Sequence, residues 1–100
     1  MVYVSGCIGV QKSTGKMING GVAEQARQTL TNLKSIVEAS GSDMSKVVKC
    51  TVLLAEMSDF AEINAIYAEF FTVNPPARAC FAVKGLPMGA LIEIDCICIA

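Results

Sequence analysis

The stretch VVKCTVLLAEMSDFAEINAIYAEFF (residues 47–71) decides the fold. Its first part, residues 47–55, is rich in β-branched and aliphatic side chains, which predicts a strand. Asp59 then opens a helix, and Glu62 is placed three residues later to complete a capping box. Apolar side chains recur in this helix at three- and four-residue steps, with Asn64 as a polar interruption. The stretch therefore predicts a strand followed directly by an amphipathic helix.

Four further elements are predicted on either side of this stretch. They are a strand at 2–8, a helix at 22–40, a strand at 77–83 and a final strand at 90–100. Turn residues fill 11–21 and 85–89. The order β-α-β-α-β-β predicts one α+β domain, residues 1–100, in which two helices cover one face of a β-sheet.

The predicted strands carry apolar residues on both faces. In strand 47–55, Val48, Cys50, Val52 and Leu54 share one face, and Val47, Lys49, Thr51, Leu53 and Ala55 share the other. The final strand places Ile92, Ile94, Cys96 and Cys98 on one face, and Leu91, Ile97 and Ile99 on the other. A sheet that is apolar on both faces needs a second cover. That cover is either another copy of the chain or a different partner, and we expect a homo-oligomer with closed symmetry.

Composition excludes several classes of function. The net charge is −1 and no basic cluster occurs, which disfavours nucleic acid as a partner. No apolar stretch approaches the roughly 20 residues that span a bilayer, so we expect no membrane partner and a cytoplasmic location, or a mitochondrial one if a leader is missing. The sequence has no histidine, which removes the commonest general base and a common metal ligand. We expect no metal site.

The five cysteines are predicted to be mostly small core residues. Their number is odd, no two of them form a C-x-x-C pair, and they lie in apolar strands, which disfavours both a disulfide framework and a metal site. One of them, Cys80, follows Arg78 by two residues and so shares its strand face. Because no base lies near Cys80 in the sequence, we expect it to position a ligand rather than to attack one.

Arg78 is the first candidate for chemistry. Its planar guanidinium matches a carboxylate bidentately, which lysine cannot do. Its neighbours on the same face, Cys80 and Ala82, leave space for a ligand to approach. A salt bridge to Glu93 or Asp95, or simple exposure to solvent, is the structural alternative.

A hairpin of the last two strands would fix how these charges meet. With a turn centred at residues 86–87, Cys80 lies across from Glu93 and Arg78 across from Asp95, all on one face. A slip of one residue reverses this arrangement. A cation and a carboxylate on one face could bind a small anion and position a water, or could simply neutralise each other.

Three further residues are candidates for a binding site. Asn64 is polar within an apolar helix stripe, so its amide either ties down a neighbouring backbone or faces a ligand. Ser5 and Gly6 lie inside the first strand, where a glycine often marks the close approach of backbone or ligand.

Five segments carry a resemblance to a known family. They are VYVSGCIG (2–9), NLKSIVEASG (32–41), KVVKCTVLLAEMSDFAEINAIYAEFF (46–71), PPARAC (75–80) and GLPMGALIEIDCICIA (85–100). The most specific element is P-A-R-x-C followed by L-P-x-G-A-x-I-E-I. On these motifs, which span essentially the whole chain, the sequence resembles the Rid/YjgF family of reactive-intermediate deaminases, also called the L-PSP endoribonuclease family.

The resemblance implies a chorismate-mutase-like α+β fold and a homotrimer with active sites between subunits. It also implies hydrolysis of 2-aminoacrylate and related 2-imino acids to 2-keto acids and ammonia. No cofactor is implied, because an imine carbon is already electrophilic. Position by position, Arg78 would bind the substrate carboxylate and Glu93 would hold and activate the attacking water. The residues that would line the pocket are Ser5, Gly6, Asn64 and Cys80.

The sequence departs from the family pattern in two places. The family usually begins with a strand that contains a G-P-Y-type segment, and we expect that strand to be absent because this chain begins after it. Cys7 stands where the family usually has glutamine. Two other functions remain open: a non-catalytic small-ligand-binding or chaperone-like role, and a translation-inhibiting endoribonuclease, which the missing histidine and basic face disfavour.

Overall fold

The computed structural model describes residues 1–100 and contains four strands and two α-helices in the predicted order. Their bounds are β1 Val2–Cys7, α1 Val22–Ala39, β2 Val47–Leu54, α2 Phe60–Phe70, β3 Ala77–Ala82 and β4 Ile92–Cys98. The predicted elements are confirmed, with ends that move by one or two residues. Neither helix combines the length and the apolar composition that crossing a membrane requires.

The four strands form one mixed sheet in the order β1-β4-β2-β3. Strand β4 runs antiparallel to both β1 and β2, whereas β3 runs parallel to β2. A parallel neighbour requires a crossover connection, and α2 provides it. Both helices pack on one face of the sheet, so the predicted α+β architecture is confirmed. Strands β1 and β3 are the two edges.

The predicted hairpin between the last two strands is wrong, because β2 lies between β3 and β4. The crossover through α2 places β3 on one side of β2, and β4 pairs on the other side. Cys80 therefore does not lie across from Glu93, and Arg78 does not lie across from Asp95. Hydrogen bonding between strands adjacent in sequence is common but is not compulsory.

The register also places Arg78 and Glu93 on opposite faces of the sheet. Arg78 aligns with Cys50, which aligns with Cys96, and both cysteines are buried against the helices. Glu93 aligns with Leu53 and lies three residues from Cys96. An odd spacing along a strand changes the face. The expectation that the arginine and the carboxylates share one face is thus wrong.

The core lies between the helices and the face of the sheet that carries Cys50. Four residues of β4, at most 2% exposed, belong to it: Ile92, Ile94, Cys96 and Cys98. We call the other side of the sheet the open face; it carries Leu53, Phe81, Glu93, Asp95 and Ile97. No helix covers the open face, and Phe81 is 48% exposed there. The prediction of two apolar faces is confirmed.

Two local predictions are wrong. An irregularity in the pairing of β2 between Val47 and Lys49 buries Val47 and leaves Val48 on the surface, the reverse of simple alternation. At the start of α2, the Asp59 side chain makes no capping hydrogen bond, because Asp59 already ends a 3-10 turn and has a helical conformation. The predicted capping box with Glu62 is therefore not formed.

The cysteines are all free thiols. Four of them, Cys7, Cys50, Cys96 and Cys98, are buried, which confirms that most serve as small core residues. Cys80 is half-buried and is the exception.

Candidate active site

Arg78 lies against one side of α2. Its Nη1 donates a hydrogen bond of 2.6 Å to Oδ1 of Asn64. Its guanidinium carbon lies 4.7 Å from the ring centroid of Tyr67 and 5.4 Å from that of Phe60. Residues 60, 64 and 67 follow one another at helical spacing, so one side of the helix presents all three. We call Phe60, Asn64 and Tyr67 the α2 cradle.

Arg78 has no carboxylate partner in this chain. The other arginine, Arg27, forms a two-pronged ion pair with Glu69 at 2.8 and 3.2 Å. That ion pair is the only one in the structure, so the expected alternative of a salt bridge from Arg78 to Glu93 or Asp95 is wrong. A positive charge that is held in place but not compensated is free to bind an anion.

The Asn64 amide has a use that the sequence did not suggest. It ties down neither a neighbouring backbone nor a helix end; its carbonyl oxygen accepts from Arg78. Beside this contact a groove of about 380 Å³ runs along α2, and its far wall is Phe71 with Pro75 and Pro76. The groove therefore offers a polar end at Arg78 and an apolar wall beyond it.

Cys80 lies on the same sheet face as Arg78, two residues along β3. Burial raises the pKa of the Cys80 thiol, and the nearby Arg78 opposes this only in part. The thiol is therefore not activated as a nucleophile. This agrees with the expectation that Cys80 does not act as a nucleophile.

Glu93 lies against the backbone of Gly6 on the open face. A methyl group added at Gly6 would lie 2.6 Å from Cδ of Glu93, closer than real contacts allow, so only glycine leaves room for this carboxylate. An irregularity in the pairing of β1 between Val4 and Cys7 sets Ser5 and Gly6 out of the regular ladder. The close approach predicted at Gly6 is thus seen, with Glu93 as the neighbour.

The candidate residues form two groups rather than one. The first group lies at the β3 edge on the helix side: Asn64, Arg78 and Cys80. The second lies on β1 and β4 around the open face: Ser5, Gly6 and Glu93. The sheet itself separates the two groups, because their side chains occupy opposite faces. Arg78 and Glu93 of one chain therefore do not face the same ligand.

Comparison with known proteins fits this architecture. The model of one family, described as endoribonuclease L-PSP, matches residues 1–100. This chain belongs to that family. The L-PSP family is the Rid/YjgF family that the sequence motifs indicate, and that prediction is confirmed.

Named and solved members of the L-PSP family are similar over nearly the whole chain. The 2-iminobutanoate/2-iminopropanoate deaminase of Rattus norvegicus is 50% identical over 98 residues, which are 98% of this chain and 72% of the relative. The YjgF gene product of E. coli is 43% identical with a TM-score of 0.92, covering 97% of this chain and 78% of that one. E. coli TdcF with bound serine is 36% identical with a TM-score of 0.92, covering 98% and 79%.

Sequence reasoning missed two residues of the arginine site in this L-PSP family member. Phe60 and Tyr67 fit the apolar stripe of α2, and nothing in that pattern shows that their rings also face Arg78. The signal that could have found them is their spacing of four and three residues from Asn64, the polar break in the stripe. An amide on the apolar side of a helix, with an aromatic residue before and after it at helical spacing, is an arrangement that can bind a cation.

Proposed function

We propose that this protein hydrolyses 2-imino acids, including the imine tautomer of 2-aminoacrylate, to 2-keto acids and ammonia. The observation that carries the proposal is Arg78, whose guanidinium is held by α2 with no carboxylate partner. Relatives that are 43–50% identical and bear the name 2-iminobutanoate/2-iminopropanoate deaminase support it.

Arg78 would bind the substrate through its carboxylate. In a 2-imino acid this carboxylate is bonded directly to the imine carbon, so a bidentate contact fixes the position of the reacting atom. The solved relative TdcF holds serine, which has a carboxylate and an α-nitrogen in the same relation. Asn64 and Cys80 would complete this wall of the pocket.

Glu93 would position and activate the water. As the water oxygen bonds to the carbon of the protonated imine (C=NH2⁺), the carboxylate takes one water proton and the C=N electron pair moves to nitrogen, giving a neutral carbinolamine. Transfer of that proton to nitrogen and loss of the hydroxyl proton to Glu93 then break the C–N bond. The products are ammonia and a 2-keto acid. The imine carbon is electrophilic by itself, so the step requires no cofactor.

Two copies of the chain are needed to bring Arg78 and Glu93 together. We place each active site between subunits of a homotrimer, where the β3 edge of one copy meets the open face of the next. One copy would then supply Arg78, Asn64 and Cys80, and its neighbour would supply Ser5, Gly6 and Glu93. Exposed apolar side chains on the open face, such as Phe81 at 48%, favour such a cover.

The test is to generate 2-aminoacrylate from serine with a dehydratase and to follow pyruvate formation with and without this protein. We expect the protein to accelerate conversion of the imine to pyruvate and ammonia. Binding of pyruvate is measured in parallel by calorimetry. Binding without acceleration would favour the ligand-binding role over the deaminase. If the protein neither binds pyruvate nor accelerates the reaction, the carboxylate site itself is rejected.

Gly6→Ala is expected to lower kcat by roughly 10- to 100-fold with little loss of stability. The added methyl would push the Glu93 carboxylate aside, and a displacement of about 1 Å in a reacting group can cost about 100-fold. The fold tolerates the change because Gly6 has no left-handed backbone and the end of Glu93 is flexible. Steady-state kinetics and a thermal melt check the two halves of the prediction.

Gly85→Ala is the matched control for Gly6→Ala. Gly85 also lacks a left-handed backbone, and a methyl group there meets no atom within 4 Å. Its kcat should equal that of the wild type. Equal kcat values for Gly6→Ala and Gly85→Ala would mean that Glu93 does not act from the position that it has beside Gly6.

A further inference from the structure

We propose that Phe60 and Tyr67 are positioning residues, which together with Asn64 determine which edge of the Arg78 guanidinium meets the substrate. The inference rests on the proposed function, because it takes the ligand of Arg78 to be the carboxylate of a 2-imino or 2-keto acid. It adds to that function the two aromatic residues that hold the binding group in place.

The contacts of Arg78 leave one edge of the guanidinium free. Nη1 is engaged by Asn64 at 2.6 Å, and the aromatic rings of Phe60 and Tyr67 lie near the guanidinium carbon at 5.4 and 4.7 Å. One N–H of Nη1 is used in this way, and Nη2 and Nε are the two nitrogens that have no partner. These two nitrogens form the side-on pair that matches both oxygens of a carboxylate.

The α2 cradle holds a cation without neutralising it. Its three contacts are a phenyl ring, an amide oxygen and a phenol ring. Burial raises the pKa of the Tyr67 phenol above its usual range, so this ring carries no charge at neutral pH. Arg27 shows the alternative, in which the Glu69 carboxylate compensates the guanidinium directly. An anion that reaches Arg78 does not have to displace a competing carboxylate.

The α2 cradle is also supported by packing of its helix on the hydrophobic core. The Tyr67 side chain is 6% exposed, and its ring packs on Phe71 with centroids 4.5 Å apart. Ile63 and Ile66 of the same helix are buried in the core. The Tyr67 ring therefore holds its orientation before a ligand arrives, and such preorganisation improves affinity by reducing what must be ordered on binding.

The experiment compares kcat, KM and the Kd for pyruvate across cradle variants of the whole 100-residue chain. Phe60→Leu should raise KM and Kd about two- to five-fold, the range of a half-exposed cation–π contact, with kcat nearly unchanged. Tyr67→Leu should do the same or more, whereas Tyr67→Phe keeps the ring and should match the wild type. Phe60→Tyr should likewise restore the wild-type KM.

Phe70→Leu is the matched control. Phe70 is an aromatic residue of α2 that packs partly buried against the core, and the rings that contact Arg78 are those of Phe60 and Tyr67. Its KM and Kd should stay at the wild-type values. A rise in Phe70→Leu equal to that in Phe60→Leu would overturn the inference, since loosening of the helix would then explain both.

Asn64→Asp probes the neutrality of the cradle. The new carboxylate oxygen would take the place of Oδ1 beside Nη1, pair with Arg78 and compete with the substrate carboxylate. We expect Kd and KM to rise about tenfold or more.

Unchanged Kd values in Asn64→Asp, Phe60→Leu and Tyr67→Leu would overturn the inference even if the wild type is an active deaminase. If the wild type binds pyruvate without turnover, shifts in Kd would still support the cradle while the deaminase proposal fails.

Discussion

Arg78→Ala is expected to abolish imine hydrolysis while the fold and the subunit assembly stay intact. Two charge-assisted hydrogen bonds to the substrate would be lost, at roughly 1.5–3 kcal/mol each, which corresponds to about 10²–10⁴-fold in kcat/KM. The fold should tolerate the change because the Arg78 side chain is exposed and takes part in no salt bridge. Its one hydrogen bond within the chain is to Asn64.

Two further variants sharpen this test. Arg78→Lys keeps the charge but has neither the planar fork nor the flat face for the two rings, so it should recover only a small part of the lost activity. Arg27→Ala is the matched control, because it removes an exposed arginine that is paired with Glu69 across α1 and α2. Surface ion pairs contribute only about 0–1 kcal/mol, so activity should be unchanged.

The outcome is measured as pyruvate formed from 2-aminoacrylate, together with thermal melts and sedimentation of each variant. Wild-type turnover by Arg78→Ala would remove Arg78 from the substrate site. Equal losses in Arg78→Ala and Arg27→Ala would show that the effect comes from the fold or the assembly and not from carboxylate binding.

The elements of the fold could be predicted because each is determined by residues close in sequence. Helix α2 carries apolar residues at helical spacing, and β4 alternates Ile92, Ile94, Cys96 and Cys98 towards the helices. Those signals are local, and the structure agrees with them to within one or two residues. The apolar content of both faces of β4 also predicts correctly that the open face lacks a cover within the chain.

The arrangement of the candidate site could not be predicted because it depends on strand order. Within one strand, parity correctly shows that Arg78 shares a face with Cys80 and that Glu93 shares a face with Asp95. Relating the two strands requires knowing that β2 lies between them. No residue of the turn at 85–89 indicates this strand order, because the crossover through α2 determines on which side of β2 strand β3 lies. The assumption that β3 pairs with β4 therefore also placed Arg78 and Glu93 on the same face of the sheet, which is wrong.

The aromatic seat of Arg78 escaped prediction for a different reason. Phe60 and Tyr67 do two things at once: they pack on the core as part of an apolar stripe, and they turn part of a ring towards the guanidinium. Hydrophobic periodicity predicts only the packing on the core. The contact with the guanidinium cannot be predicted until the position of Arg78 in the fold is known.

Glu93→Gln should lower kcat by about 10²–10⁴-fold, the usual contribution of a general base, because the amide cannot take a proton from water. Its effect on KM should be small, since carboxylate binding is assigned to Arg78. Glutamine has nearly the same shape beside Gly6, so thermal stability should not change. Kinetics and a melt test both points, and wild-type kcat in Glu93→Gln would exclude Glu93 as the base.

Mixing the two inactive variants gives the most informative result. If Arg78 and Glu93 of one site come from different subunits, a hybrid assembly of Arg78→Ala and Glu93→Gln chains contains some sites with both residues intact. Every mixed trimer then has one intact site of three, so purified hybrids should show about a third of the wild-type activity, and the unfractionated mixture from equal amounts about a quarter. The two chains carry different affinity tags and are refolded together, and hybrids are purified on both tags.

Each variant refolded alone is the control and should remain inactive. Activity that stays absent in purified hybrids would mean that Arg78 and Glu93 act from one chain, which the sheet makes possible only if the strands rearrange. Recovered activity, by contrast, follows from the positions of the two residues. Arg78 lies at the β3 edge on the helix side and Glu93 on the open face beside Gly6, so a site that uses both is complete only where one copy of the chain meets another.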